Sequence, residues 1–208
     1  NIRSEKEPTV IRSFMFHKKK KLTHVISVGD PSQVNYSYDL LQGAMLYVWK
    51  GDYLNATDMW HERGEPQTSS PMGATITLSG ICPIYEASNT TDSISNYKYK
   101  GYNLNQQRYP IFSYEYKNFK IEDKISPFEN GKGLNRTINV EGDGKNNLMI
   151  RIAQGKSIKP IGNGLYSIDD QNFYIQTSPG ETPTIEIHND QQVLLISAKQ
   201  QLSYQLIW

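Results

Sequence analysis

Apolar and polar residues alternate along much of this chain. Two stretches, 134–140 and 202–208, show this most clearly, and their mostly apolar alternates are Leu134, Arg136, Ile138, Val140, Leu202, Tyr204, Leu206 and Trp208. A period of two is that of a β-strand, whose successive side chains point to opposite faces. Polar residues at the other alternates indicate antiparallel sheets with one buried face and one solvated face.

Segments of strand character recur from end to end of the chain. Those richest in β-branched and aromatic residues lie at 9–16, 22–28, 45–49 and 74–78. Between two later segments, Lys117-Asn118 predicts a two-residue hairpin in which Asn118 takes a positive φ. Residues 58–62 alone favour a helical turn, and the Ser/Thr/Asn-rich residues 86–96 are predicted to form a mobile loop.

The spacing of these segments predicts the fold class. Turns recur at the interval of roughly 8–12 residues that is typical of β-sandwiches and barrels. We predict an all-β fold, an antiparallel β-sandwich of roughly fourteen short strands, with a galactose-mutarotase-like supersandwich as one form it could take. The 208 residues fit a single domain over 1–208. Because the chain opens without methionine, we expect a leader or an upstream domain to have been removed.

Composition excludes several classes of function. The 22 basic and 21 acidic residues leave a net charge of +1, which gives no electrostatic case for nucleic acid or an anionic membrane. No apolar run approaches the ~20 residues of a membrane helix, so we expect no membrane insertion. The single cysteine, Cys82, excludes a disulfide framework and an attached c-type haem, and is predicted to be a small buried side chain. The basic run 17–21 is interpreted as a solvated hairpin loop rather than a polyanion patch.

The densest candidate chemistry lies in residues 28–64, where aromatic, acidic and basic side chains alternate with turn residues. Aromatic rings can cover the C–H face of a sugar while acids, amides and arginine bond its hydroxyl groups. We therefore expect one ligand-binding pocket in which four residues form the wall and two lie at the rim: Trp49, Trp60, His61 and Arg63, with Asp39 and Tyr53.

Most of these residues also have a purely structural interpretation, which for His61 is that of a hydrogen-bonded or surface histidine. Both tryptophans could be core residues, as large aromatics in β-sandwiches mostly are. Asp39 follows an alternating strand and could cap a turn, and Arg63 could pair with a nearby acid. A zinc site is not expected at His61, because a second histidine is lacking and Gly64 and Pro66 oppose the helix that such a motif needs.

Several short motifs follow one another in residues 12–73: Ile26-Ser27-Val28-Gly29-Asp30-Pro31, Val34-Asn35-Tyr36-Ser37-Tyr38-Asp39, Trp49-Lys50-Gly51-Asp52-Tyr53-Leu54 and Met59-Trp60 before Arg63-Gly64. Their succession resembles an uncharacterised β-sandwich module of large exported proteins from Bacteroidetes and planctomycete-type bacteria. The resemblance implies a periplasmic or cell-surface location beside c-type cytochrome or sugar-dehydrogenase-like domains of the same polypeptide. It implies no catalytic residues, and no cofactor within this segment, since haem in such relatives belongs to a separate domain.

Three functions remain open from the sequence. The favoured one is a non-catalytic ligand-binding or scaffolding module of an exported multidomain protein, with carbohydrate as the ligand. The alternative is a carbohydrate-active enzyme, a lyase, hydrolase or epimerase, that uses carboxylates and His61. The third is a purely structural domain that packs against a cytochrome or dehydrogenase domain.

Overall fold

The computed structural model describes residues 1–60, 67–86, 97–128 and 131–208. This part of the chain contains seventeen strands, one helical turn and one 3-10 turn, and so the predicted all-β class is confirmed. The elements are β1 (Thr9–His17), β2 (Lys20–Gly29), β3 (Val34–Asp39), β4 (Ala44–Asn55), α1 (Thr57–Trp60), β5 (Ser70–Thr77), β6 (Ile84–Glu86), β7 (Tyr97–Leu104), β8 (Pro110–Tyr116), β9 (Phe119–Phe128), β10 (Gly133–Glu141), the 3-10 turn (Lys145–Asn147), β11 (Leu148–Gly155), β12 (Ile158–Gly162), β13 (Leu165–Ile168), β14 (Phe173–Thr177), β15 (Thr184–His188), β16 (Gln191–Ser197) and β17 (Gln201–Ile207).

These strands form three sheets, each built from antiparallel pairs. The curled sheet has five strands in the order β1-β2-β3-β4-β5. The large sheet has eight strands in the order β12-β13-β14-β17-β10-β9-β8-β7. The small sheet has four strands in the order β15-β16-β11-β6. Non-consecutive neighbours, such as β17 between β14 and β10, bring distant parts of the sequence side by side.

The curled sheet bends until its first strand reaches its last. Just before β5, Ser69 donates its backbone N–H to the carbonyl of Phe14 over 2.8 Å, and Phe14 forms a parallel bridge with Thr68. Just after β5, Nε2 of His17 donates to the carbonyl of Leu78 over 3.0 Å. In an antiparallel meander of five strands the first and last run in the same direction, so a parallel contact is what closure requires. The sheet encloses a second core, formed by Met15, Val25, Leu46, Trp49, Tyr53 and Leu54.

The inner face of the large sheet packs against both other sheets. Tyr38 of β3 stacks on Phe112 of β8, with ring centroids 4.2 Å apart. Ile150 of β11 and Leu194 of β16 bring the small sheet into the same core cluster. The large sheet is therefore one layer and the other two sheets form the second, which is the sandwich-like arrangement that the sequence predicts.

The predicted alternation is confirmed on the large sheet. On β10, Leu134 and Ile138 are buried while Asn135 and Thr137 face outward and remain half-buried. The strand β17 follows the same pattern, because its apolar alternates enter the core and its polar ones do not. The large sheet thus has an apolar inner face and a polar outer face.

Of the predictions about single turns and loops, some are confirmed and some are wrong in detail. Lys117-Asn118 does join β8 to β9, but Lys117 takes the positive φ, at 54°, and Asn118 does not. Hairpin turns of the primed types need positive φ at the first central residue, which is Lys117. The predicted turn lies between β1 and β2 and consists of Lys18-Lys19, while His17 of the basic run is a buried residue of β1 and is not part of a solvated loop. Cys82 is buried as expected. Of the predicted loop at 86–96, Glu86 ends β6 and the rest lies outside the described residues.

Within the described ranges, no helix combines the length and the apolar character needed to cross a bilayer.

Candidate functional site

Trp49 and Tyr53 are core residues of the curled sheet. The exposed fractions of their side chains are 0% for Trp49 and 2% for Tyr53. The indole Nε1 of Trp49 donates to the carbonyls of Asp52 and Tyr53, each over 3.0 Å. The hydroxyl of Tyr53 donates to the carbonyl of Ser27 over 2.6 Å, and burial raises the pKa of this phenol. One face of β4 is buried inside the curled sheet and the other in the main core, so neither ring offers a surface on which a sugar could stack.

Gly29 explains how Tyr53 fits into this interior. The ring of Tyr53 lies directly over Gly29, where a Cβ atom would come within 2.5 Å of the ring carbons. Glycine is therefore required by the close approach of the ring, and the Tyr53 side chain is held away from solvent.

Asp39 caps a turn instead of lining a rim. Its side chain is 4% exposed, and its Oδ1 accepts the backbone N–H of Leu41 over 2.9 Å. Burial raises the pKa of this carboxyl group, while the backbone donors of Leu41 and Gln42 and the charge of His24 act in the opposite sense. The capping role considered from the sequence is thus the one that the structure supports.

The remaining predicted site residues lie at or beyond the end of the described range 1–60. Trp60 is the last residue of α1, and His61 and Arg63 lie outside the described residues. Their convergence on one pocket therefore stays a prediction.

A different site lies on the outer face of the large sheet. A groove with a volume of about 970 Å³ runs over β9, β10, β17 and β14, which are adjacent in the sheet. We call it the polar groove, and its lining residues are Lys124, Ser126, Asn135, Thr137, Asn163, Gly164, Gln176, Thr177, Ser178, Pro179, Gly180, Glu181, Ser203, Tyr204 and Gln205.

The floor of the polar groove is a regular array of amide and hydroxyl side chains. On β10 and β17, Asn135 is paired with Gln205 and Thr137 with Ser203. The amide of Gln205 donates to Oδ1 of Asn135 over 3.1 Å, and the hydroxyls of Thr137 and Ser203 lie 2.9 Å apart. Cross-strand side chains on one face lie close enough to bond, so the register of these two strands fixes the array.

The walls of the polar groove are bonded to its floor. The hydroxyl of Ser178 donates to the carbonyl of Ser203 over 2.9 Å. Beside it, where the backbone N–H of Thr177 donates to the carbonyl of Gly164 over 3.0 Å, the amide of Gln176 donates to the carbonyl of Asn163 over 2.8 Å. Glu181 pairs with Lys199 over 2.8 Å, and its side chain is only 11% exposed. These bonds hold the groove in one shape without a ligand, which lowers the entropy cost of binding one.

Part of the hydrogen-bonding capacity of the floor is unused within the described part of the chain. The Nδ2 donors of Asn135 and the Oε1 acceptor of Gln205 are unused, since their bond joins Oδ1 to Nε2. The side chain of Lys124 makes no hydrogen bond or ion pair. Tyr204 is the aromatic residue of the lining, and its side chain is 2% exposed. The groove is therefore equipped for hydrogen bonding and not for stacking.

A second hollow lies beside the polar groove on the same face. It has a volume of about 210 Å³, and we call it the charged depression; its polar lining residues are Lys100, Ser113, Glu115, Lys120, Glu122, Asn139 and Glu141. Lys100 and Glu115 form an ion pair over 3.0 Å. Oδ1 of Asn139 is buried without a hydrogen-bond partner in the described structure. Asn139 follows Thr137 on the outer face of β10, so the two hollows are neighbours.

A buried ionic network lies on the opposite, inner face of the large sheet. The guanidinium of Arg136 donates to both oxygens of Asp123, over 3.0 Å and 2.6 Å, and also to the carbonyl of Gly43 over 3.2 Å. The hydroxyl of Tyr38 donates to Asp123 over 2.6 Å. Arg136 is 5% exposed and Asp123 is 1% exposed, and the Asp123 carboxylate raises the pKa of Arg136 against the effect of burial. This network joins the two layers, and the cavity that Arg136 lines has a volume of only about 40 Å³, too small for a sugar.

Sequence patterns alone did not identify the residues of the polar groove. Its floor consists of the polar alternates of four strands, which are interpreted from sequence as an ordinary solvated face. One signal was present: the outward alternates that line the groove are all Ser, Thr, Asn or Gln except Lys124. Recognising it requires knowing that β9, β10, β17 and β14 are neighbours, and this is a matter of tertiary pairing.

Comparison with known proteins finds no matching family, no similar curated protein and no matching solved structure. Across the described ranges, no group of three or more His, Cys, Asp or Glu side chains is placed to hold a metal ion.

Proposed function

We propose that this protein is a non-catalytic binding module whose ligand is a carbohydrate, and that the ligand lies in the polar groove of the large sheet. The observation that carries the proposal is the lining: a preformed groove of about 970 Å³ whose floor is made of amide and hydroxyl groups. Sites for apolar small molecules are lined mainly by hydrophobic and aromatic side chains. The lining of the polar groove is mainly polar instead, and it suits a ligand that is polar along its whole length.

The chemistry of the floor matches that of a sugar. Each sugar hydroxyl both donates and accepts, and so do the side chains of Asn, Gln, Ser and Thr. Asn135 offers free donors and Gln205 a free acceptor next to each other, so one hydroxyl can engage both strands. Further bonds through ordered water would add to the affinity at little cost.

The acidic residues of the groove favour binding over hydrolysis. Glu181 is the carboxylate of the lining, and it is paired with Lys199. Glycoside hydrolysis in most enzyme families needs two carboxyl groups that flank the scissile bond, about 5–9.5 Å apart. The polar groove supplies one, and that one is already neutralised.

A glycan array followed by calorimetry tests the proposal. We expect a soluble oligosaccharide to bind, and Gln205→Ala to weaken its binding by about two- to tenfold, the value of a lost hydrogen bond. Gln200→Ala is the matched control, because Gln200 is exposed and does not line the groove. Lack of binding at millimolar concentration, or equal affinity of Gln205→Ala and the unmodified protein, would contradict the proposal.

We place this module in an exported bacterial polypeptide, outside the cytoplasm, beside further domains such as a c-type cytochrome. The support for this is the resemblance of residues 12–73 to modules of such proteins. Fractionation of the source cells, with an antibody raised against this chain, checks the location. Detection in the cytosol alone would contradict it.

A further inference from the structure

We infer that the carbohydrate bound in the polar groove is acidic, and that Lys124 recognises its carboxylate or sulfate group. The inference rests on the proposed function, and it adds the chemical class of the ligand and the position of its charge.

The charges of the groove lining do not cancel. Two lining residues are charged, Lys124 and Glu181. Glu181 is compensated by Lys199, 2.8 Å away. The side chain of Lys124 has no ion pair and no hydrogen bond in the described structure. A half-buried groove therefore carries one uncompensated positive charge, which a neutral sugar would leave unused.

The surroundings of Lys124 are neutral across the sheet. Its cross-strand partners are Thr137 on β10 and Ile111 on β8. Along β9, Glu122 lies on the same face about 7 Å away, the rise of two residues, and the two side chains form no ion pair. Nothing described here competes with a ligand anion for Lys124 at hydrogen-bonding distance. A charge-assisted bond to a carboxylate or sulfate is about twice as strong as a neutral one.

The charged depression fixes the direction in which the ligand extends. Its lining holds three carboxylates, Glu115, Glu122 and Glu141, against two lysines, and the net negative charge disfavours a second anion there. On the other side of Lys124 the floor is neutral, through Asn135 and Gln205 to Gln176. The acidic sugar therefore lies over Lys124 at one end of the groove, and the neutral remainder of the chain extends toward β14.

The same distribution of charge argues against nucleic acid. A nucleic acid carries one phosphate per nucleotide, and proteins bind it with several basic residues and with exposed aromatic rings. The groove offers one lysine, Lys124, and the ring of Tyr204 is buried. An oligosaccharide that carries one acidic group per several sugar units fits better.

The test compares acidic oligosaccharides with neutral counterparts of the same skeleton. A glycan array that presents uronates beside their methyl esters, and sulfated glycans beside their desulfated forms, identifies the preferred ligand and separates carboxylate from sulfate. Calorimetry on the full chain then measures both members of the best pair. We expect the acidic member to bind about tenfold more tightly, and added salt to reduce only its affinity.

Lys124→Met separates this inference from the proposed function. It should abolish the preference for the acidic member, so that the two members bind with similar affinity. Lys120→Met, in the charged depression, is the matched control and should keep the preference. The thermal midpoint of each variant confirms that the protein remains folded.

Equal binding of the two members, with no effect of Lys124→Met, would overturn the inference and leave the proposed function standing. Absence of binding to every oligosaccharide would overturn both. Tighter binding of a single-stranded oligonucleotide at the same salt concentration would also overturn both.

Discussion

Arg136 occupies an inward-facing position of β10, where its neighbours Leu134 and Ile138 are apolar. The position is tolerated because Asp123, at an inward position of β9, meets the guanidinium with both oxygens. Gly43 completes the network from the other layer: its φ of +61° suits glycine, and a Cβ there would clash with Tyr97. A charge pair of this kind contributes little net stability, but removing one partner leaves a buried charge alone.

Arg136→Met is therefore expected to lower the free energy of unfolding by about 3–5 kcal/mol, because it leaves the Asp123 carboxylate buried without a partner charge. Urea unfolding followed by circular dichroism measures this. Lys159→Met breaks the exposed pair with Asp170 and should leave the free energy nearly unchanged. A small effect of Arg136→Met, similar to that of the control, would show that the network does not hold the two layers together.

His17 should make stability depend on pH. Burial is the main cause that lowers its pKa below the ordinary value of 6.5, and Lys18 lowers it further, while the carbonyls of Leu78 and Leu46 act in the opposite sense. In the unfolded chain this histidine gains a proton as the pH falls through about 6.5, but in the folded chain it gains one only at a lower pH. Stability is therefore fully present above that pH and falls as the pH drops below it.

The measurement is urea unfolding at about pH 7.5 and about pH 5.5, on either side of the unfolded pKa. His17→Gln retains an amide donor toward Leu78 and cannot titrate, so its stability should fall less between the two values. The raised pKa of Asp39 affects both proteins equally and cancels in the comparison. Identical pH dependence of the two proteins would refute the assignment to His17.

At the scale of elements, the sequence predicts most of what local pattern controls. Strands such as β10 and β17 follow from alternation, and the turns at Lys18-Lys19 and Lys117-Asn118 follow from the residues between them. The closure of the curled sheet does not follow, because the contact between Phe14 and Thr68 joins residues that no local pattern connects. For the same reason, alternation along β4 could not reveal that both of its faces are buried.

For Trp49, the distinction between local pattern and tertiary pairing decides whether the residue belongs to the core or to the ligand site. In the core of the curled sheet, Trp49→Ala should lower the free energy of unfolding by about 3–5 kcal/mol, the usual cost of truncating a buried large aromatic. Trp49→Phe should cost less, since it keeps most of the volume. Neither variant should change the affinity of the folded protein for an oligosaccharide. Loss of binding by stably folded Trp49→Phe would restore Trp49 to the ligand site.

At the scale of the whole molecule, the two faces of the large sheet have separate roles. Its inner face joins both other sheets in one core, and its outer face forms the polar groove. The fold class was predictable because alternation implies one buried and one polar face. The groove was not, because it depends on the neighbours of β17 and on walls supplied by residues 163–164 and 178–181. Stability and binding should therefore respond to different substitutions.

The most direct test of the central claim is hydrogen–deuterium exchange of the full chain with and without its best oligosaccharide. The ligand should slow exchange in the segments that line the polar groove, around Lys124, Asn135, Gln176 and Gln205, and in the wall at 178–181. It should leave the segment 49–60 unchanged. Protection confined to 49–66, where the sequence had placed the site, would contradict the account.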